Sequence, residues 1–129
     1  MSDKQGAIRF LNYRVLKVEF YLNDVETQSD ELNVKFSSDK EIDKELNNML
    51  VELDVKIGDK DKSPFFMNIC LEGLFELSQD YLDYDIDNFY SNALAILYPY
   101  IRAIVSTYTA GANIQPVILP TINIKKMLK

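Results

Sequence analysis

The 129-residue sequence has no histidine and no tryptophan, and it holds one cysteine, four glycines and four prolines. Without histidine there is no ordinary general base near neutral pH and no imidazole metal ligand. The single cysteine, Cys70, excludes an internal disulfide and suits a reducing compartment. No basic residue flanks it to lower its pKa, so it reads as a buried structural thiol rather than a nucleophile. The glycines, Gly6, Gly58, Gly73 and Gly111, are scattered, which leaves no phosphate-cradling loop. Positive charge is also scarce: 14 Lys and Arg against 20 Asp and Glu give a net charge of −6, with an isoelectric point near 4.6. A basic face for nucleic acid is therefore not expected. A membrane helix needs about 20 apolar residues. The best candidate is interrupted by Asp87 and Arg102 and contains Pro99, so no membrane insertion is expected. The opening MSDKQGAIRF has no apolar core of a secretory signal. Together these absences predict a soluble, cytoplasmic protein that is not an enzyme, with no catalytic residues, no metal and no cofactor.

What is present is an ordinary globular composition, 47% hydrophobic and 26% charged, which predicts one domain over 1–129. The first two-thirds read as strands. Phe10 to Leu22 is rich in aromatic and branched residues, with Leu16, Val18, Phe20 and Leu22 in one phase and Tyr13 and Val15 in the other. That strand is either two-sided or bulged near Val15–Leu16. Leu32, Val34 and Phe36 alternate with polar residues, as do Met49, Val51, Leu53, Val55 and Ile57. Between them, Asp39 to Asn48 reads as a charged link or, on the stripe Ile42, Leu46, Met49, Leu50 and Leu53, a short helix. Gly58 to Pro64 is turn chemistry. It leads into a strand from Phe65 to Leu77, in which Gly73 marks a bulge or a close approach. Strands joined in sequence by short polar links predict an antiparallel meander.

The run Asp80 to Tyr90 is acidic, but it lacks the glycine and glutamate of a calcium loop and reads as a helix N-terminus. Leu94, Leu97, Tyr98, Ile101, Ile104, Val105 and Tyr108 recur at steps of three and four, the apolar face of a helix. Pro99 predicts a bend or a restart, and Gly111 a left-handed helix end. The following NIQPVILP must be extended, and Asn123 suits the cap of a last short helix, Ile124 to Lys129.

The helix sequence ILYPYIRAIVS followed by LPTIN resembles the C-terminal signature of the SecB family of export chaperones. FFMNICLEGLFEL is similar to that family's fourth strand, with Gly73 before Leu74 and Phe75, and YRVLKVEF resembles its first. The resemblance implies an α+β fold: a four-stranded antiparallel sheet, a long Pro-bent helix and a short C-terminal helix. It also implies a homo-oligomer, a dimer of dimers, acting as an ATP-independent holdase for unfolded clients in protein export. The SecA motor is the partner implied there, through acidic side chains on the first and fourth strands. This chain carries Lys17, Tyr21 and Asn68 at those places and ends in KKMLK rather than an acidic tail. Solitary members that serve an antitoxin of a toxin–antitoxin system are the alternative within the family. A non-chaperone oligomeric scaffold is the alternative from another class.

Fifteen aromatic residues, eight Tyr and seven Phe, supply both a core and adaptable apolar contact. On this reading Ile114 to Leu119 crosses the sheet edge and holds Ile124, Met127 and Leu128 over a client groove walled by Tyr21, Leu22, Leu32 and Phe36. Tyr100, Ala103 and Thr107 form a strip facing away from the core, expected at the interface between subunits.

Overall fold

The computed structural model of the protein describes residues 8–23, 33–61, 63–78, 81–82, 85–114 and 117–119. Four strands, β1 (Ile8–Leu22), β2 (Val34–Asp43), β3 (Asn48–Ile57) and β4 (Phe65–Leu77), precede one helix, α1 (Ile86–Gly111). All neighbouring strands are antiparallel, in the order β1-β4-β3-β2. The expected meander therefore holds only for β2, β3 and β4. β1 lies beside β4, at the edge opposite β2, because the last strand of the meander offers its free ladder there.

Register assigns each residue a face. Met49, Val51, Leu53, Val55 and Ile57 on β3 are completely buried beneath α1, as are Met67, Ile69, Leu71 and Phe75 on β4. The even-numbered residues of both strands point to the opposite, open face. β1 keeps its apolar residues on the helix face by two bulges, at Leu11 and Leu16, where the pairing with β4 slips. Each extra residue reverses the phase. Ile8 and Phe10, then Tyr13 and Val15, then Val18, Phe20 and Leu22 thus fall on one side despite their broken alternation. The bulged reading of this strand is the correct one.

The charged stretch from Asp39 is neither loop nor helix. β2 continues through Asp43, and Ile42 packs against the core while Asp39, Glu41 and Asp43 lie on the open face. The chain then reverses in four residues. The Leu46 N–H donates to Asp43 Oδ1 (3.1 Å), and Asn47 takes the left-handed conformation at φ 56°. Asn is among the few non-glycine residues that tolerate that region. Charge along an edge strand also guards its free ladder against stray pairing.

α1 begins after Asp85, which accepts from the Leu82 N–H (3.0 Å) rather than capping the helix. The helix does not restart at Pro99, which lies inside one continuous element. Pro99 and Ala95 are both exposed, so the carbonyl that loses its N–H partner faces water. Nor does Gly111 take the left-handed position: Asn113 does, at φ 62°. Around it the Ile114 N–H reaches the Thr109 carbonyl (3.4 Å) and the Asn113 N–H the Ala110 carbonyl (3.1 Å), the paired bonds of a Schellman ending. The short helix expected over Ile124 to Lys129 lies outside the described residues.

Gly73 is a close approach and not a bulge. A Cβ there would lie 2.7 Å from Leu97 Cδ2 and 2.9 Å from Phe75 Cε1. α1 is seated on β4 at that point. Gly73→Ala is expected to destabilise the fold by about 1–3 kcal/mol through overpacking, seen as a lower urea midpoint. Pro99→Ala restores a helical donor on an exposed face and is expected to stabilise by up to about 3 kcal/mol, raising the same midpoint.

Candidate functional site

The helix face is not covered to its edges. On β1, Tyr13, Val15 and Leu22 are exposed, together with Leu11 and Leu16 at the bulges. Aromatic rings line the seam between β1 and the helix. Tyr100 stacks on Tyr13 (centroids 4.3 Å apart), and Phe10 stacks on Phe75 (5.3 Å). At the other end Tyr108 meets the edge of Phe20 (6.3 Å). Two expectations change here. Tyr100 does not face away from the core, because its long side chain reaches sideways onto Tyr13 and is half-buried. Tyr108, expected on the buried face, is 44% exposed. Ala103 and Thr107 do point to solvent. They continue an exposed stripe with Ala95 and Pro99 that carries no charge.

Of the residues expected to wall a client groove, Tyr21, Leu22 and Phe36 are described, and they lie on three different parts of the sheet. Tyr21 lies on the open face, against Phe66 (5.4 Å). Leu22, its neighbour, is on the helix face of the same edge strand. Phe36 sits on β2 at the far edge, half-buried with its ring against Tyr98 (6.0 Å). Leu32, Ile124, Met127 and Leu128 lie outside the described residues.

Of the proline-spaced segment expected to cross the sheet edge, the described part, Val117–Leu119, runs back along α1. The Val117 N–H donates to Thr109 Oγ1 (2.9 Å), Ser106 Oγ donates to the Val117 carbonyl (3.2 Å), and Arg102 Nε donates to the Leu119 carbonyl (3.0 Å). Leu119 is buried at 2% exposure and Val117 packs on the core, whereas Ile118 is 75% exposed. The described part of the uncharged stretch after the helix therefore touches the helix that precedes it. Sequence reasoning missed the three side chains that hold it. Their signal was Arg102, Ser106 and Thr109 at steps of four and three on an otherwise apolar helix.

The open face is polar. Arg14 on β1 donates to Glu72 on β4 (2.7 Å), and Glu52 and Asp39 continue that row across β3 and β2. Asn68, only 1% exposed, donates to Asp54 and to the Val55 carbonyl (3.1 Å). Cys70 Sγ lies 3.3 Å from Glu52 Oε1 and donates to it. Lys17 pairs with Glu19 (3.0 Å) on the same strand. Of the three positions expected to differ from a SecA-docking surface, all lie on this face: Lys17 and Tyr21 on β1, Asn68 on β4. Among the described residues no group of three His, Cys, Asp or Glu side chains is placed to hold a metal, and no helix is long and apolar enough to cross a membrane.

A four-stranded antiparallel sheet covered on one face by a single long helix, with exposed apolar residues on one edge strand, defines a small α+β domain. Comparison makes the class specific. Residues 18–129 match the family model described as preprotein translocase subunit SecB, and the chain belongs to the SecB family. An uncharacterized protein of Methanocaldococcus jannaschii is 37% identical over 128 residues, covering 95% of this chain and 83% of that protein. Among solved structures, the fold is similar to the SecB-like chaperone of Mycobacterium tuberculosis in complex with a ChAD peptide from the HigA1 antitoxin. The TM-score is 0.74 at 15% identity, over 92% of this chain and 91% of that one. A Streptococcus agalactiae protein of unknown function matches with a TM-score of 0.51 at 10% identity, over 88% and 97% of the two chains.

Burial first, then the bond to Glu52 and the charges of Glu52 and Asp54, push the Cys70 thiol from 9.0 up to about 12. The folded state therefore holds this proton more tightly than the unfolded chain does. Its contribution to stability is complete below pH 9 and is lost as pH rises towards 12. At pH 8 iodoacetamide is expected to label Cys70 rapidly in urea and negligibly in the native protein, with mass spectrometry as the readout.

Proposed function

We propose that the protein is an ATP-independent holdase that binds unfolded or extended client chains in the cytoplasm through apolar contact. The observation that carries this reading is the exposed apolar surface of β1, with Leu16 at 42%, Val15 at 43% and Leu22 at 55% exposure, on a chain of the SecB family. Apolar residues on a free strand edge bind extended chains in two ways. The ladder pairs with any backbone, and the side chains bury any aliphatic or aromatic group. Such recognition is tolerant of sequence, as a holdase requires. Nothing in it calls for a nucleotide or a metal.

The same surfaces support self-assembly, in a dimer of dimers. β1 offers a pairing edge, and the uncharged stripe of Ala95, Pro99, Ala103 and Thr107 lets a second helix approach closely. Apolar area shared between assembly and client binding keeps the remainder of the molecule charged and soluble.

The client reading divides between general export and one dedicated antitoxin. The antitoxin peptide bound to the Mycobacterium tuberculosis neighbour favours the second. Lys17, Tyr21 and Asn68 argue in the same direction, because they place no carboxylate where the family docks SecA.

The test is suppression of aggregation of several unrelated unfolded proteins without ATP. Suppression of all of them supports a general holdase; suppression of one alone supports a dedicated chaperone. Binding only to a folded partner would establish a scaffold instead. Binding is expected to change little in high salt, since the contacts are apolar. Sedimentation is expected to show a dimer or tetramer of the 14.9 kDa chain. Leu16→Lys is expected to dissociate it with an unchanged far-UV spectrum, and a wild type that sediments as a monomer at micromolar concentration would refute the assembly.

A further inference from the structure

The segment Val117–Leu119 is bound to its own helix in the manner of a ligand. The bonds named for it come from helix side chains and go to its backbone: Thr109 takes the Val117 N–H, Ser106 gives to the Val117 carbonyl, and Arg102 gives to the Leu119 carbonyl. Thr109 Oγ1 also donates to the Val105 carbonyl (2.9 Å), which leaves its lone pairs turned to the segment as an acceptor. The side chains alternate. Val117 and Leu119 turn inward, Leu119 completely into the core, and Ile118 turns out to solvent at 75% exposure. Nothing in this set of contacts reads sequence beyond an aliphatic group at alternate positions.

Any extended chain carries the same groups at the same spacing: an N–H and a carbonyl on one residue, a carbonyl two residues on, and side chains on alternate sides. We propose that Val117–Leu119 is a self-ligand occupying a client site. In this site Arg102, Ser106 and Thr109 hold the backbone of an extended aliphatic-x-aliphatic segment, and the Leu119 socket takes one aliphatic side chain. A client binds there by displacing the strap. The proposal rests on the holdase reading and deepens it, since it names the segment chemistry the protein selects and a contact that restrains binding when no client is present. Displacement is feasible because a strap held by side chains opens without breaking a β-ladder, whereas the sheet beneath it cannot. Its closure also sets the apparent affinity, because a site filled by its own chain is available only for the fraction of time the strap is open.

The decisive measurement uses the wild-type full chain and reduced, carboxymethylated α-lactalbumin as an unfolded probe. Binding is followed by calorimetry, and amide exchange by mass spectrometry of peptides spanning 114–119. Saturation with the probe is expected to speed exchange at Val117, whose N–H loses Thr109. Unchanged or stronger protection while the probe is bound would overturn the displacement and leave the holdase reading standing. Failure of this and other unfolded probes to bind at all would overturn both. A second arm uses variants checked for an unchanged melting curve and oligomeric state. Leu119→Ser empties the socket and is expected to bind the probe about threefold or more tightly, because the closed fraction falls. Arg102→Met is expected to show no such gain, since strap and client lose the same guanidinium. Equal or weaker binding by a folded Leu119→Ser protein would mean that Leu119 is plain core packing. If Leu119→Ser does not fold, the wild-type exchange result decides alone.

Discussion

One helix covers a four-stranded sheet, and most features of the molecule follow from that mismatch in width. A helix with its side chains is about 10–12 Å across. Strands lie about 4.8 Å apart, so four of them make a wider surface than one helix hides. The helix is seated by the missing Cβ of Gly73, where Leu97 comes down onto β4. That choice centres it on β4 and β3, whose inward residues are all buried or nearly so. The two edge strands receive only its flanks. Their inward apolar residues, among them Phe10, Val18, Phe20, Val34, Phe36 and Ile42, are only partly buried.

The two edges answer this shortage differently. β2 carries charge, with Asp39, Glu41 and Asp43 outward and Lys40 lying over the ring of Tyr90 (4.4 Å). β1 is bulged and apolar, and its bulge residues Leu11 and Leu16 are exposed. The two edges therefore differ in character: β2 presents charge, and β1 exposes apolar side chains beside its charged ones. The exposed ion pairs of β1, Arg9 with Glu76 (3.0 Å) and Arg14 with Glu72, add little stability of their own. They keep the open face of that strand polar while its other face stays apolar.

The segment Val117–Leu119 extends the cover that α1 begins. Leu119 fills core space from the side, and the extended backbone that carries it would be a buried and unpaired liability without polar partners. Arg102, Ser106 and Thr109 supply those partners from positions flanking the helix's apolar stripe. An apolar helix face and a polar latch therefore share one element, and this is why the segment needs no charges of its own.

Local chemistry was legible in the sequence wherever a period or a special residue imposed it. The alternation of Met49 to Ile57 determined a half-buried strand, because the pleat has a period of two. The steps from Leu94 to Val105 determined a helix, the turn composition after Ile57 determined a reversal, and Gly73 marked a bulge or a close approach, between which only the seating of Leu97 decided. The SecB resemblance was carried by the helix motif and the fourth strand. What the sequence could not decide were contacts between elements distant along the chain. The placement of β1 beside β4 depends on which free ladder is available. The continuation of β2 through Asp43 depends on a partner strand that outweighs a local helical stripe. Whether Tyr100 faced in or out depended on Tyr13, 87 positions away in the chain, lying within reach of its ring. The course of Val117–Leu119 depended on three helix side chains whose polar ends had no visible purpose until the chain folded back over them. Periodicity reports the environment of a residue relative to its own element. Only tertiary structure decides which other element supplies that environment.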